Sequence, residues 1–542
     1  MRTAWARGAA CSLGVLSILL AMVDCTAITS ETNGQCLSDS DCRNRGAAFA
    51  NTRCSAVGVC EGIKVPDVNL DGGVSCQTNA ECNALLSTAA RCASGTCVAL
   101  TNGNCTVTSG DPNAPNARYV GVMTPRTGVN AQYGLNQYAV VTSAAAEWNS
   151  ATAGQPDARP IVTIGCDELA DPGGTSTFLA TRLGVSTIFG PVYDINFAKA
   201  VAAANLSGTI LVGPRANDPT MATYEGIGKT IWSQAPSRSI QARFLNNLVT
   251  AITPSVKASQ SVTGDMRVAL LVATGEDTSS ANFAASVEQT LTFNGKSISA
   301  NGASYKRVDV PVSFSTANKY VDAIAALVAA TPDLVIVTQE YDLAALALAV
   351  NNGWTGPRFP RFVFFTEDPA VSNAVILPNQ RFAGKLDLVT WSRSAQEVAT
   401  ASTFAVGYRT ATGADPAPFS ELLYDGFYAN LYATQAVLNA NGNSLGNLDP
   451  GAYANALVAL GAPGAPLTVG PGDLASTLST LTLQRDIDLD GASGPIEFDK
   501  AAGSPLQNAE LRCIKAGGTG TSPSGVTFDA KTGATSGTYS CL

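Results

Sequence analysis

The chain has 542 residues, room for several domains, with a formal net charge of −9, a pI near 4.8 and only 14% charged residues. That acidity, without a basic cluster, excludes a nucleic-acid partner, because phosphate contacts need grouped Lys and Arg. The absence of histidine removes Ser–His–Asp and Cys–His catalysis and every zinc site built on imidazole, so no enzyme and no cofactor are expected.

The first 25 residues have the build of a signal peptide. Arg2 and Arg7 precede the apolar run 13–23, a charged start and a short core too brief to span a bilayer. Cys25 follows the core, where a lipoprotein signal places its lipidated cysteine, although Asp24 stands where a small residue belongs; cleavage near Ala27 is the alternative. Of 14 cysteines, Cys11 lies in the signal. With Cys25 lipidated or removed, an even set remains for pairing in an oxidising compartment. The expected setting is extracytoplasmic, in the periplasm or cell envelope, with a lipid anchor at Cys25 as the sole membrane contact.

Residues 33–100 hold two cysteine repeats: Cys36, Cys42, Cys54 and Cys60, then Cys76, Cys82, Cys92 and Cys97. Neither repeat is large enough for a core, so two disulfides each are the expected staples. The module reads as a stiff spacer or a protein-binding unit. Between the repeats, Asp67, Asn69 and Asp71 precede Gly72 like a calcium loop, but Thr78 stands at the closing position. Residues 101–117, rich in Gly, Pro and Asn, read as a linker.

From Arg118 onward, apolar strands alternate with helical patterns. Strand 119–123, helix 136–148, strand 161–164 and a helix near 175–183 come first. The unit Val185–Pro219 follows, two apolar runs broken at Gly190-Pro191 and Gly213-Pro214 around a helix at 195–204. A crossing segment around Trp232 leads to helix 239–252, strand 267–272, helix 279–292 and strand 307–310. A helix with Val321, Ile324, Ala325 and Val328 as its apolar stripe comes next. Strand 334–337, helix 343–350 and strand 362–365 close the second series. Such alternation means parallel sheets with helices on both faces, in two lobes, and ligands bind beyond the carboxyl ends of such strands.

Several stretches carry a family resemblance: 119–125, Ile188-Phe-Gly-Pro-Val-Tyr-Asp194, Leu211-Val-Gly-Pro214, Pro332–Val337, Tyr424-Asp-Gly-Phe-Tyr428 and 491–499. In order and spacing, they resemble the type I periplasmic solute-binding proteins, above all the branched-chain amino-acid binding family of ABC importers. The resemblance implies an α/β fold of two Rossmann-like lobes joined by a three-segment hinge, spanning 118–512. Lobe one would take about 118–235 and 391–482, and lobe two 236–390 and 483–512. The disulfide-rich segment would precede them, and a Gly/Ser/Thr-rich tail, 513–542, would follow.

The resemblance also implies ligand contacts. A hydroxyl that helps seat the ligand carboxylate at a helix N-terminus falls on Asp194, beside Tyr193; a capping carboxylate there would repel a ligand anion. An Ala-Thr-like pair falls on Ala216 and Asn217, after Arg215. Tyr341 matches an aromatic wall, Glu367 an acid that pairs the ligand ammonium, and Tyr133 lies after the first strand. With Asp194 and Glu367 both facing the cleft, the ligand is expected to be neutral or to carry a cationic group.

Asp486, Asp488, Asp490 and Glu497 spell the calcium-loop pattern D-x-D-x-D-G-x5-E, although Pro495 lies inside it and a strand pattern follows. No metal is the main expectation, with these four as the candidate set. Cys105, Cys166, Cys513 and Cys541 are left over. Pairing Cys105 with Cys166 would pin the linker to the second strand, and Cys513 with Cys541 would close the tail into a loop. The expected function is an extracytoplasmic solute receptor of an ABC-type importer, closing on a small polar or amino-acid-like ligand and handing it to a membrane permease. The alternative is a sensing or envelope protein-interaction module on the same fold.

Overall fold

The computed structural model describes residues 74–542 apart from 115, 129–130, 155–158, 214–220, 276–277, 313–319, 339–342, 366–379, 418–419, 442–447, 462, 483–485, 515–520 and 542, plus two short strands nearer the N-terminus. Those strands, Thr52–Cys54 and Cys60–Gly62, belong to a first compact unit and pair antiparallel with Cys54 opposite Cys60. Cys25 and the Asp67–Gly72 stretch lie outside the described residues.

The second unit starts at Ser75. Helix α1 (Asn79–Leu86) opens with a capping box between Thr78 and Glu81. Disulfides Cys76–Cys92 and Cys82–Cys97 tie α1 and its flank to the hairpin Ala90–Ala93/Thr96–Ala99. This repeat packs on the first lobe: Leu100 joins its core, and the Asn79 amide donates to the Tyr119 hydroxyl at 2.8 Å.

The first lobe is built on a six-stranded sheet. Its strands are β1 (Cys105–Ser109), β2 (Arg118–Thr124), β3 (Ile161–Asp167), β4 (Thr187–Phe189), β5 (Ile210–Gly213) and β6 (Ile231–Ser233), in the order β6-β5-β4-β2-β3-β1. All neighbours are parallel except β1 with β3. Every residue of β2 is buried, as a strand covered on both faces requires. The segment expected to be a linker thus contributes an edge strand, β1, with Cys105 opposite Cys166 and bonded to it. The Trp232 segment is the other edge, β6.

Alternation along β2 divides the lobe. Val120 and Val122 face helix α2 (Ala131–Ala151), and Tyr119 and Met123 face helix α3 (Asp194–Ser207). Trp148 of α2 packs against Tyr428 and Tyr432 of a helix from much later in the chain, α7 (Ser420–Ala440), buried at nearly every position. Glu147 fixes that helix by accepting from the Tyr424 and Tyr428 hydroxyls at 2.8 and 3.0 Å.

The second lobe holds an eight-stranded sheet, with β7 (Val268–Gly275), β8 (Tyr305–Val312), β9 (Leu334–Val337), β10 (Arg361–Phe365), β11 (Leu386–Trp391), β12 (Ala509–Ile514), β13 (Thr521–Phe528) and β14 (Thr535–Ser536) in the order β8-β7-β9-β10-β11-β12-β13-β14. The first five are parallel and the last three antiparallel. The expected tail is therefore sheet. Its end is held by Cys513–Cys541 and by the Tyr539 hydroxyl, which donates at 2.9 Å to Asp387, itself bound bidentately by buried Arg361 at 2.6 and 2.7 Å.

Helix α4 (Arg238–Gln260) continues through Pro254, past its expected end. Helix α5 (Val321–Ala330) buries Ala323, Ile324 and Leu327, whereas Val321 is 59% exposed and Ala325 lies in solvent. The apolar face is rotated from the expected stripe, since in so apolar a helix the periodicity does not single out one face. Helix α6 (Leu343–Gly353) ends at the expected glycine.

The chain passes between the lobes after β6, after β11 and before β12. The third crossing binds the other two: Ser233 N–H donates to Gly503 at 2.7 Å, and Ser392 N–H to Asn508 at 2.9 Å. Buried Asp425 of α7 accepts from the Ala492 N–H at 2.8 Å and from the Ser493 N–H and hydroxyl at 2.6 Å. Burial pushes its carboxyl up to about 7, against the opposing hydrogen bonds from Ser493 and Ala492.

Candidate functional site

In the first lobe the chain runs from β2 to β3 on one side, then returns to place β4 on the other side of β2. The connections leaving β2 and β4 depart to opposite faces, so a crevice opens beyond their carboxyl ends. Three segments meet there: Thr124–Arg126, Asp167–Leu169 and Gly190–Tyr193. Gly190 has φ +91°, and a Cβ there would collide with the Met123 carbonyl oxygen, so glycine is required for the turn.

At the centre of this crevice wall is Glu168, which is fully buried. Its carboxylate accepts from the Val192 N–H at 2.5 Å, the Tyr193 N–H at 3.2 Å and the Asn196 side-chain amide at 3.5 Å. These donors form the start of α3, whose N-cap, Tyr193, offers no side-chain cap. Glu168 reaches across from the end of β3 and supplies the negative charge that the helix terminus favours. Burial raises its carboxyl to about 7, while the Val192, Tyr193 and Asn196 hydrogen bonds hold it from rising further and the Asp167 charge adds to the rise.

Asp167 has the opposite fate. Desolvation pushes it up, but the Thr127 hydroxyl at 2.7 Å, the Leu169 and Arg126 N–H groups at 3.1 Å each and the Arg126 charge together hold it below the usual carboxylate range. Arg126 in turn donates to the Gly165 carbonyl and stacks over Tyr138, whose hydroxyl burial pushes up to about 12. Around the crevice, Leu135, Leu169 and Ile195 are exposed apolar side chains.

No family model and no curated protein match the chain. Solved structures do. The branched-chain amino acid transporter substrate-binding protein LivJ from Streptococcus pneumoniae, in complex with isoleucine, aligns at 17% identity and TM-score 0.51 over 74% of this chain and 97% of its own. A solute-binding protein of an ABC transporter from Rhodopseudomonas palustris, in complex with 3,4-dihydroxybenzoic acid, aligns at 15% identity and TM-score 0.52, over 77% and 98%. Another from R. palustris, in complex with benzoate, gives 16%, 0.51, 75% and 95%. The fold is that of the type I periplasmic binding proteins.

On this periplasmic-binding fold the expected ligand residues take distinct places. Tyr133 is half-buried in the first turn of α2, not in a loop. Tyr193 caps α3 with its backbone and donates its N–H to Glu168. Asp194 is the first residue of α3, one position past the cap. Ala216, Asn217, Tyr341 and Glu367 lie outside the described residues, in stretches that directly follow β5, β9 and β10. Glu168 was not among the expected residues. Its signal was available: an acid just past the carboxyl end of a buried strand, beside the switch point.

Asp488 and Asp490 sit on the strand Ile487–Asp490, paired with Ala465–Thr468, and a tight turn closes from Gly491 N–H to Gly494. Glu497 is engaged by Lys531 at 3.1 Å. Among the described residues, these acids do not converge on a point that could hold an ion. One G-x-S-x-G string, Gly442 to Gly446, also occurs. It links α7 to helix Pro450–Ala459, whereas a nucleophile elbow joins a strand to a helix and needs a histidine.

Proposed function

We propose that the protein is an extracytoplasmic solute receptor whose lobes close on a small molecule that lacks a free carboxylate where it meets lobe one. The observation that carries this reading is Glu168. The helix terminus where a ligand carboxylate is expected already holds one from the chain itself. A second carboxylate at that point would face like-charge repulsion in a desolvated setting, at a cost of several kcal/mol. The structural neighbours carry isoleucine, benzoate or dihydroxybenzoate, all carboxylates. On this reading the present chain takes a neutral or cationic relative, with the apolar rim at Leu169 and Ile195 contacting its hydrocarbon part.

Function then consists of binding without covalent chemistry. Ligand shifts an open–closed equilibrium about the three crossings, and the closed form is the one a membrane permease would read. Asp425, gripping the third crossing from α7, keeps that hinge in register. Anchoring through Cys25 belongs to the same proposal, and the mass of the mature N-terminus tests it.

Native mass spectrometry of freshly purified protein is the test of the ligand class. The expected result is a retained small molecule without a carboxyl group. A retained carboxylic acid, identified after release, contradicts the proposal.

A further inference from the structure

The opposite end of the first sheet carries a second unusual charge arrangement. A cavity of about 120 Å³ opens at the amino ends of three adjacent parallel strands, β2, β4 and β5. Its wall includes Arg91, Arg118, Ser186, Thr209, Thr434 and Leu438. Among the described lining residues, there are two guanidinium groups and no carboxylate, in a chain whose net charge is −9.

Arg118 is the exceptional member. It is only 2% exposed, and its Nε and Nη2 have no hydrogen-bond partner. Its Nη1 donates to the Leu431 carbonyl at 3.4 Å, and its guanidinium lies 5.9 Å from the Trp148 ring centre. A guanidinium offers five N–H donors, and a buried charge without a counter-ion is costly. Contrast Arg361, equally buried, which has a bidentate carboxylate partner. Burial depresses Arg118 to about 9, the direction expected of a cation without an anion beside it. Arg91, half-buried at the cavity wall, is held over the Tyr119 ring at 4.7 Å and donates to the Gly184 carbonyl.

We propose that this cavity is a binding site for a small oxyanion, such as a phosphate, sulfate or short carboxylate, held between Arg118 and Arg91. A cavity of this size has room for an ion of a few heavy atoms. Arginine forks match the planar or tetrahedral oxygens of such ions. The site sits at the amino ends of the strands, away from the ligand crevice at their carboxyl ends, so it does not depend on what that crevice binds.

The test uses the full-length protein with inorganic phosphate, sulfate and acetate as probes, by calorimetry and thermal melting, against sodium chloride at matched ionic strength. The expected result is saturable binding of at least one probe at millimolar concentration, with a rise in melting temperature that chloride does not give. Arg91→Ala should weaken it about tenfold. Arg118→Met should abolish the response while melting no lower than the probe-free wild type, since an apolar side chain of similar volume relieves the buried charge. Absence of saturable binding by all three probes overturns the proposal. So does an undiminished response in both variants. If Arg118→Met fails to fold, Arg91→Ala alone decides between these outcomes.

Discussion

The two ends of the first-lobe sheet carry opposite charge arrangements. At the carboxyl end, the helix terminus that would welcome a ligand anion is filled by Glu168, a carboxylate from the chain itself. At the amino end, Arg118 and Arg91 line a cavity whose described walls offer no carboxylate. One sheet thus shields its anion-favouring site and leaves its cations uncompensated. In a parallel sheet the crevice beyond the carboxyl ends is the usual ligand seat. On the proposed reading, reversing the charge preference there changes ligand class without touching the fold, because Glu168 takes the contacts that a bound anion would otherwise make.

The contrast can be broken at several points. The largest effect is expected from removing Cys105–Cys166, which ties β1 to the end of β3 two residues before Glu168. The bond closes a loop of 61 residues, for which loop-closure entropy gives about 4 kcal/mol. The Cys105→Ala/Cys166→Ala pair should lose that much in denaturant unfolding, and hydrogen exchange at Val192 and Tyr193 should accelerate.

The pH dependence comes next. Glu168 and Asp425 both have carboxyls raised to about 7 in the folded chain, from 4.5 and 3.8. Between those values the folded state holds protons that the unfolded state has released. Their contribution is therefore fully present below about pH 4 and lost as pH rises through 7, at most about 3 kcal/mol for Glu168 and about 4 kcal/mol for Asp425. Melting temperature should fall from pH 5 to pH 8, and Glu168→Gln or Asp425→Asn should each flatten part of the slope. A slope unchanged in both variants contradicts the assignment.

Glu168→Ala leaves the Val192 and Tyr193 N–H groups without their acceptor and should cost about 2 kcal/mol, with part of the loss restored by added acetate. The smallest effect is expected from Arg91→Ala. A half-exposed cation–π contact contributes about 0.5 kcal/mol, so melting should barely move and crevice binding not at all. A drop comparable to that of Glu168→Ala would mean that Arg91 has a structural role instead.

The parts of the fold legible in the sequence were those with strong physical signals. Strands such as Leu334–Val337, buried on both faces, read as unbroken apolar runs. The Gly190 turn announced itself because only glycine fits against Met123. Edge and antiparallel strands were missed where the signal thins. Cys105–Ser109 buries little beyond its cysteine, and Thr521–Phe528 buries one face made of Ser524, Val526 and Phe528. A charge at this helix terminus is expected on Asp194, and the structure brings a further one, Glu168, to the same turn. Asp194 follows the cap in sequence, whereas Glu168 reaches it through the pairing of β2 with β3 and β4, a contact that no local pattern encodes. The calcium spacing is likewise a local pattern, whereas its middle lies on the strand Ile487–Asp490, an extended stretch rather than a loop.

The most direct test of the Glu168 assignment is a thermal-shift titration of the wild type and Glu168→Ala with isoleucine and with benzoate. The wild type should show no shift with either carboxylate, and Glu168→Ala, with its helix terminus vacated, should gain one. A saturable rise in the wild-type melting temperature with isoleucine or benzoate would contradict the central claim.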